Sequence, residues 1–138
     1  MNQSTQPSVM LSLSKHALAV GICATLLAGC AMKNKNEKEA DKITQAVIAN
    51  NMSGVINDFD SQAKPTVTRI AVARLSDELN QQGKYQGVTE VQNANAGPGG
   101  HVFDVKFEKH TYTETMVLDD DGKVRSWKIH MKDAVPKP

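Results

Sequence analysis

The chain has 138 residues, of which 40% are apolar and 22% are charged, and its formal net charge is +1 at neutral pH. Its 16 basic side chains are distributed unevenly, because only Lys15 precedes Cys30 and no acidic residue does. Without residues 1–29, the remaining 109 residues carry 15 basic and 15 acidic side chains, which balance. Nucleic-acid binding by phosphate neutralisation requires a clustered basic excess, so this composition argues against a nucleic-acid partner.

Residues 1–29 have the pattern of an export signal. A polar stretch that ends in one cation, Lys15, precedes an apolar run of 11 residues from Ala17 to Leu27. A membrane-spanning helix requires roughly 20 apolar residues, so this run is too short to cross a bilayer. The pattern therefore predicts a signal peptide over residues 1–29.

The residues that follow the run, Leu27-Ala28-Gly29-Cys30, resemble the bacterial lipobox. The resemblance implies cleavage between Gly29 and Cys30 and acylation at Cys30, with three fatty-acyl chains, palmitate among them, anchoring the protein to a membrane. Ala31 stands where an Asp would mark inner-membrane retention, so in a bacterium with two membranes we expect the outer membrane, facing the periplasm. Because Cys23 lies in the discarded run, no thiol remains for a disulfide, a nucleophile or a metal site.

Two amphipathic helices are predicted after a polar stretch. Residues 30–39 have the composition of a lipidated flexible tether. From Lys38 to Asp60, apolar residues recur every three or four positions, which predicts a helix of about six turns. Lys64-Pro65 begins a second helix that ends near Leu79, and Gly83 supplies a left-handed residue after it.

Four strands are predicted after Gly83, where the apolar period falls from about 3.6 to 2. The turn Asp119–Gly122 joins the last two strands. In the third strand, Tyr112, Glu114 and Met116 or the alternate set of Thr113, Thr115 and Val117 face the core, and alternation leaves the choice open. The predicted strands are Val88–Asn95, which needs a bulge, His101–Lys109, Thr111–Leu118 and Lys123–Met131.

This element order, ααββββ, predicts an α+β domain over residues 40–132. Its two N-terminal helices would cover one face of a curved four-stranded antiparallel sheet. Residues 133–138 contain two prolines and are predicted to be a disordered tail.

Several segments between Asp41 and Met131 resemble the domain of unknown function 3887 family. They are Phe59-Asp60, Gly83-Lys84-Tyr85, the strand Phe103–Glu108 and the hairpin Leu118–Val124. The resemblance implies a cystatin-like or nuclear-transport-factor-like cone, in which a sheet wraps a long helix. It implies no catalytic residues. Sheets of this type pair through exposed strands, so the resemblance leaves a dimer open.

No catalytic or metal-binding motif emerges from the residues. Asp119-Asp120-Asp121-Gly122 is acidic, but its spacing does not match an EF-hand loop, and an acidic hairpin turn is the favoured interpretation. The three histidines after Cys30 lack the spacing of a zinc site; they are His101, His110 and His130. We therefore expect no metal, no cofactor and no enzymatic activity.

Four residues make up a candidate groove between the first helix and the sheet: Phe59, Tyr112, Glu114 and Trp127. Aromatic side chains there suit a small apolar ligand or a segment of a protein partner. If Glu114 faces inward, burial would raise its pKa. Two functions follow: a non-enzymatic protein-binding module of the envelope, such as a periplasmic inhibitor or immunity-type protein, or a small-ligand carrier or simple enzyme with a cone-shaped pocket.

Overall fold

The computed structural model of the protein describes residues 32–92 and 94–132. The signal peptide, the lipobox with Gly29 and Cys30, and the tail 133–138 lie outside the described residues. Within the described residues, no helix combines the length and the apolar character needed to cross a membrane.

Two helices and a four-stranded antiparallel sheet form the domain, which confirms the α+β prediction. The strands lie side by side in chain order, each joined to the next by a short connection. The elements are α1 (Lys35–Ile48), α2 (Arg69–Asn80), β1 (Tyr85–Glu90), β2 (Gly100–Phe107), β3 (Thr111–Leu118) and β4 (Val124–Met131).

Helix α1 begins five residues before the predicted domain boundary at residue 40. A capping box fixes its start: the Asn34 side chain accepts a hydrogen bond from the Glu37 N–H at 2.8 Å, and the Glu37 carboxylate accepts one from the Asn34 N–H at 3.1 Å. These bonds satisfy backbone donors that the helix itself leaves free. The predicted tether was therefore wrong over residues 35–39, which are helical.

Helix α1 also ends earlier than the predicted Asp60. Its last helical residue is Ile48, and Asn50 adopts the left-handed conformation with φ of 50°, which Asn tolerates better than most residues and which stops the helix. The apolar pattern nevertheless continues, because Val55 and Phe59 reach the core from a connector that contains two short 3₁₀ turns. The apolar periodicity identified the residues that face the core, but its prediction of a helical backbone after Ile48 was wrong.

The core lies between α1 and the sheet. Helix α1 contributes Ala40, Ile43 and Val47, α2 contributes Leu79, and the sheet contributes inward-facing residues of all four strands. In β3 the buried set is Tyr112, Glu114 and Met116. This observation decides the alternative that the sequence left open.

Helix α2 is fastened to the end of α1 by polar contacts. The Ser76 hydroxyl donates to the Ile48 carbonyl oxygen at 2.9 Å, and the Asn80 amide donates to the same oxygen at 3.0 Å. Helix α2 starts at Arg69, with Thr68 as its N-cap, which is later than the predicted start at Lys64-Pro65. The connector is fixed to the sheet where Phe59 pairs with Val124 at the start of β4.

Candidate functional site

Glu114 is a carboxylate enclosed in the core. Its side chain has 0% exposure, and it accepts a hydrogen bond from the Thr44 hydroxyl at 2.8 Å and another from the Trp127 indole N–H at 2.6 Å. Burial raises the pKa of Glu114 to about 7, although both hydrogen bonds favour the ionised form. Its charge therefore changes near neutral pH.

A second polar group lies on the neighbouring part of α1. The Tyr85 hydroxyl donates a hydrogen bond to Asp41, and the Lys33 ammonium forms an ion pair with the other oxygen of that carboxylate at 2.7 Å. Burial opposes ionisation of Asp41, but the hydrogen bonds from Lys33 and Tyr85 outweigh it and hold its pKa below the usual value. The negative charge on Asp41 adds to the increase in the pKa of Glu114.

A cavity of about 540 Å³ lies between α2, the connector and β4. Its size falls within the range of roughly 300–1,000 Å³ that is typical of small-molecule sites. Two of the predicted groove residues, Phe59 and Trp127, line it. Its other apolar lining residues are Val47, Met52, Ala63, Val67, Ala71, Val72 and Leu75, and its polar ones are Gln62, Thr66, Arg125, Ser126 and Lys128.

Trp127 connects the cavity to the buried carboxylate. The residue lines the cavity, while its indole N–H is bonded to Glu114, which is not part of the lining. Because Glu114 is fully enclosed, it has no contact with the cavity space. A ligand in the cavity could therefore contact Trp127 but not Glu114. Any effect of Glu114 on the ligand would be transmitted through Trp127.

Tyr112 is placed differently from the prediction. Its side chain has 0% exposure and packs edge-on against Phe107, with ring centroids 5.7 Å apart. Its hydroxyl donates a hydrogen bond to the Glu78 carboxylate at 3.1 Å, and burial, helped by Glu78, raises the pKa of Tyr112 to about 12. The predicted four-residue groove was therefore wrong in two members, because Tyr112 and Glu114 belong to the core and only Phe59 and Trp127 reach the cavity.

Asp119, His101 and His110, which the sequence also singled out, form hydrogen bonds within the domain. The Asp119 carboxylate accepts the backbone N–H groups of Asp121 at 3.0 Å and Lys123 at 2.7 Å, which stabilises the hairpin turn. His101 contacts the Glu90 carboxylate at 2.7 Å, and His110 contacts the Gln82 amide oxygen at 2.9 Å. In the part of the chain that the structure describes, no three His, Cys, Asp or Glu side chains converge as a metal site would require.

Sequence reasoning missed the cationic side of the cavity. Arg125 and Lys128 both line it, and they belong to a ten-residue segment, Lys123–Lys132, that contains four Lys or Arg residues and no acid. That charge run was readable in the sequence. The cavity beside it was not, because α2 and β4 are more than 40 residues apart in the chain.

Comparisons with protein-family models, curated proteins and solved structures give no match for the chain.

Proposed function

We propose that this protein is a lipid-anchored envelope protein whose domain binds an apolar ligand in the cavity between α2 and β4. The observation that carries the binding function is the cavity itself, with its volume of about 540 Å³ and nine apolar lining residues. The cavity is partly open to solvent, since Gln62, Thr66 and Ala71 of its lining are exposed, so a ligand can enter it from the surface. The proposed role is non-enzymatic, and the enclosure of Glu114 away from the cavity supports this.

The proposed anchor is the lipidated Cys30, in the outer membrane and facing the periplasm if the source has two membranes. The lipobox Leu27-Ala28-Gly29-Cys30 supports it. Cells that express the chain are labelled with radioactive palmitate, and we expect label on the wild type and an unlabelled precursor of higher mass for Cys30→Ala. Equal labelling of both proteins would refute the anchor.

The proposed fold relationship is to the cystatin-like and nuclear-transport-factor-like cones. The element order and the packing of α1 against the sheet support it. Helix α1 spans 14 residues, which is shorter than the predicted helix, and the cavity lies beside the connector and α2.

Binding is tested with 12-bromododecanol, an uncharged chain whose bromine quenches indole fluorescence on contact. Trp127 is the only tryptophan of the 138-residue chain, so its fluorescence reports the cavity specifically. We expect saturable quenching of the full chain made by cell-free synthesis, which leaves it unprocessed and without lipid. The absence of quenching at concentrations up to the solubility limit of the probe would refute the proposed function.

A matched pair of variants tests whether the ligand binds in the cavity. Ala71 lines the cavity, and Ala71→Phe is expected to fill part of it and to weaken the quenching by 12-bromododecanol. Ile70 is the preceding residue of α2, is 77% exposed and does not line the cavity, so Ile70→Phe is the control. If both variants bind 12-bromododecanol with equal affinity, the probe does not bind in this cavity.

A second candidate function is a protein-binding module, such as a periplasmic inhibitor of a cell-wall hydrolase. The free edge of β4 favours it: among the described residues only Val124 at its start has a bridge on that side, to Phe59. An exposed edge can accept an extended segment of a partner. We expect the chain to lower the hydrolase activity of an envelope extract on peptidoglycan, and unchanged activity would contradict this candidate.

A further inference from the structure

The charges around the cavity have one sign. Two cations, Arg125 and Lys128, are part of its lining, and no Asp or Glu is. A smaller cavity of about 270 Å³ adjoins it, since both are lined by Met52, Val67 and Val72. The smaller cavity adds Arg69 and again no acid. The combined space is therefore lined mainly by apolar residues, with some uncharged polar ones, and the charged residues of its lining are all cationic.

Among the residues that the structure describes, the two cations of the larger cavity carry no carboxylate partner, unlike three lysines elsewhere in the domain. Lys33, Lys42 and Lys132 form ion pairs with carboxylates at 2.5–2.8 Å. Within the described residues, Arg125 and Lys128 have no such partner. Both side chains are exposed on β4, an edge strand, so they remain available to an anion.

We propose that the cavity binds an amphiphile with one alkyl chain and a single anionic group at its end. The apolar walls accommodate the chain, and Arg125 and Lys128 bind the anionic group at the border. This inference rests on the proposed function and adds the chemical class of the ligand. It requires that the site distinguishes charge on ligands with the same chain.

The experiment compares three probes with the same brominated twelve-carbon chain: 12-bromododecanoate, 12-bromododecanol and 12-bromododecyltrimethylammonium. Quenching of Trp127 in the full chain is measured for each probe below its critical micelle concentration or, for the alcohol, below its solubility limit. Because a partly exposed ion pair strengthens binding by up to about fivefold, two of them lead us to expect about tenfold tighter binding of the carboxylate than of the alcohol. The ammonium probe should bind more weakly than the alcohol.

The variant R125Q/K128Q removes both cations and keeps polar side chains of similar length. We expect it to bind the carboxylate and the alcohol with affinities within about twofold of each other, and the affinity for the alcohol should match that of the wild type. Lys106→Gln is the control, because Lys106 is exposed on β2 between two inward-facing residues, Val105 and Phe107. Raising the salt concentration should weaken binding of the carboxylate only.

The anionic group can come from a free fatty acid or from a lysophospholipid such as lysophosphatidylglycerol. Dodecanoate and lauroyl lysophosphatidylglycerol are each tested as competitors of 12-bromododecanoate. Displacement by at least one competitor supports the inference, and the competitor with the lower inhibition constant identifies the source, whereas displacement by neither would overturn the inference.

Two failures remain distinguishable. If the alcohol binds as tightly as the carboxylate, the inferred anion preference is overturned while the proposed apolar site stands. If none of the three probes quenches Trp127, the proposed function fails as well.

Discussion

The two ends of α2 meet the sheet in different ways. At its C-terminal end, Glu78 accepts the Tyr112 hydroxyl, and the Gln81 carbonyl accepts the Lys109 ammonium at 2.8 Å, so helix and sheet are in direct contact. At its N-terminal end, Ala71, Val72 and Leu75 face a cavity instead. We refer to these regions as the closed half and the open half.

The difference follows from how the connector enters α2. The Asp60 N–H donates to the Val124 carbonyl at 3.0 Å, and the Asp60 carboxylate accepts the Gln62 N–H at 2.9 Å, which places the middle of the connector beside β4. The chain then makes a 3₁₀ turn at Lys64–Thr66 before α2 begins. This detour separates the first turns of α2 from β4, so space is left where a continuous helix would have packed.

The largest expected effect compares two leucines one turn apart on α2. Leu79 is 0% exposed in the closed half, whereas Leu75 is half-buried and lines the cavity. Leu79→Ala should lower the free energy of unfolding by about 3–4 kcal/mol, because it removes close packing and leaves a void. Leu75→Ala only enlarges an existing space and should cost about 1 kcal/mol. Urea unfolding measures the free energy of unfolding of both variants. Equal losses would show that the two halves do not differ in how closely α2 is packed.

A second test concerns Glu114, which lies next to the open half. Its pKa of about 7 is above the ordinary value of 4.5, so the folded state binds the proton more tightly than the unfolded state does. The contribution of Glu114 to the free energy of unfolding is therefore greatest below about pH 4.5, and it falls as the pH rises towards 7. The loss at complete ionisation is about 3 kcal/mol.

The variant Glu114→Gln should remove this dependence. Its free energy of unfolding, measured by urea titration, should exceed that of the wild type by a margin that grows between about pH 4.5 and pH 7. Burial also raises the pKa of Glu39, and the subtraction cancels that contribution because both proteins contain it. Asp120→Asn, at an exposed carboxylate in the turn between β3 and β4, is the control, and a pH-independent difference for Glu114→Gln would contradict the argument.

Trp127→Phe tests how the open half is coupled to the buried carboxylate. The change removes the indole donor at 2.6 Å from Glu114 and leaves one carboxylate oxygen without a partner. We expect a loss of about 2 kcal/mol at pH 8, where Glu114 is ionised, and a smaller loss at pH 5. Because the lost bond favoured the ionised form, the pKa of Glu114 should also rise further. Losses of the same size at both pH values would show that Trp127 contributes packing alone.

Parts of this architecture were predictable from local patterns. Strand β3 was predicted with its observed bounds, β4 to within one residue and β2 to within two residues. In β2 and β4 the signal was the alternation of inward-facing residues, such as Phe103 and Val105 in β2 and Trp127 and Ile129 in β4. The capping box of Asn34 and Glu37 was readable too and was missed, because the polar composition of that stretch favoured a tether.

Other features depend on contacts that no local pattern encodes. The end of α1 depends on the left-handed Asn50, within an apolar periodicity that continues past it. To predict which face of β3 is buried, one would have to know that Thr44 and Trp127 donate hydrogen bonds to Glu114. The cavity depends on the separation of α2 from β4, which the connector sets.

The smallest expected effect concerns the contact that closes the other half. Tyr112→Phe removes the hydroxyl that donates to Glu78 at 3.1 Å and keeps the buried ring. It should cost about 1 kcal/mol in urea unfolding, the usual contribution of one such hydrogen bond. The contact lies at the C-terminal end of α2 and Tyr112 does not line the cavity, so quenching of Trp127 by 12-bromododecanol should keep its wild-type affinity. A changed affinity would mean that the contact at the C-terminal end of α2 affects the shape of the cavity at its N-terminal end, so that the two halves are coupled.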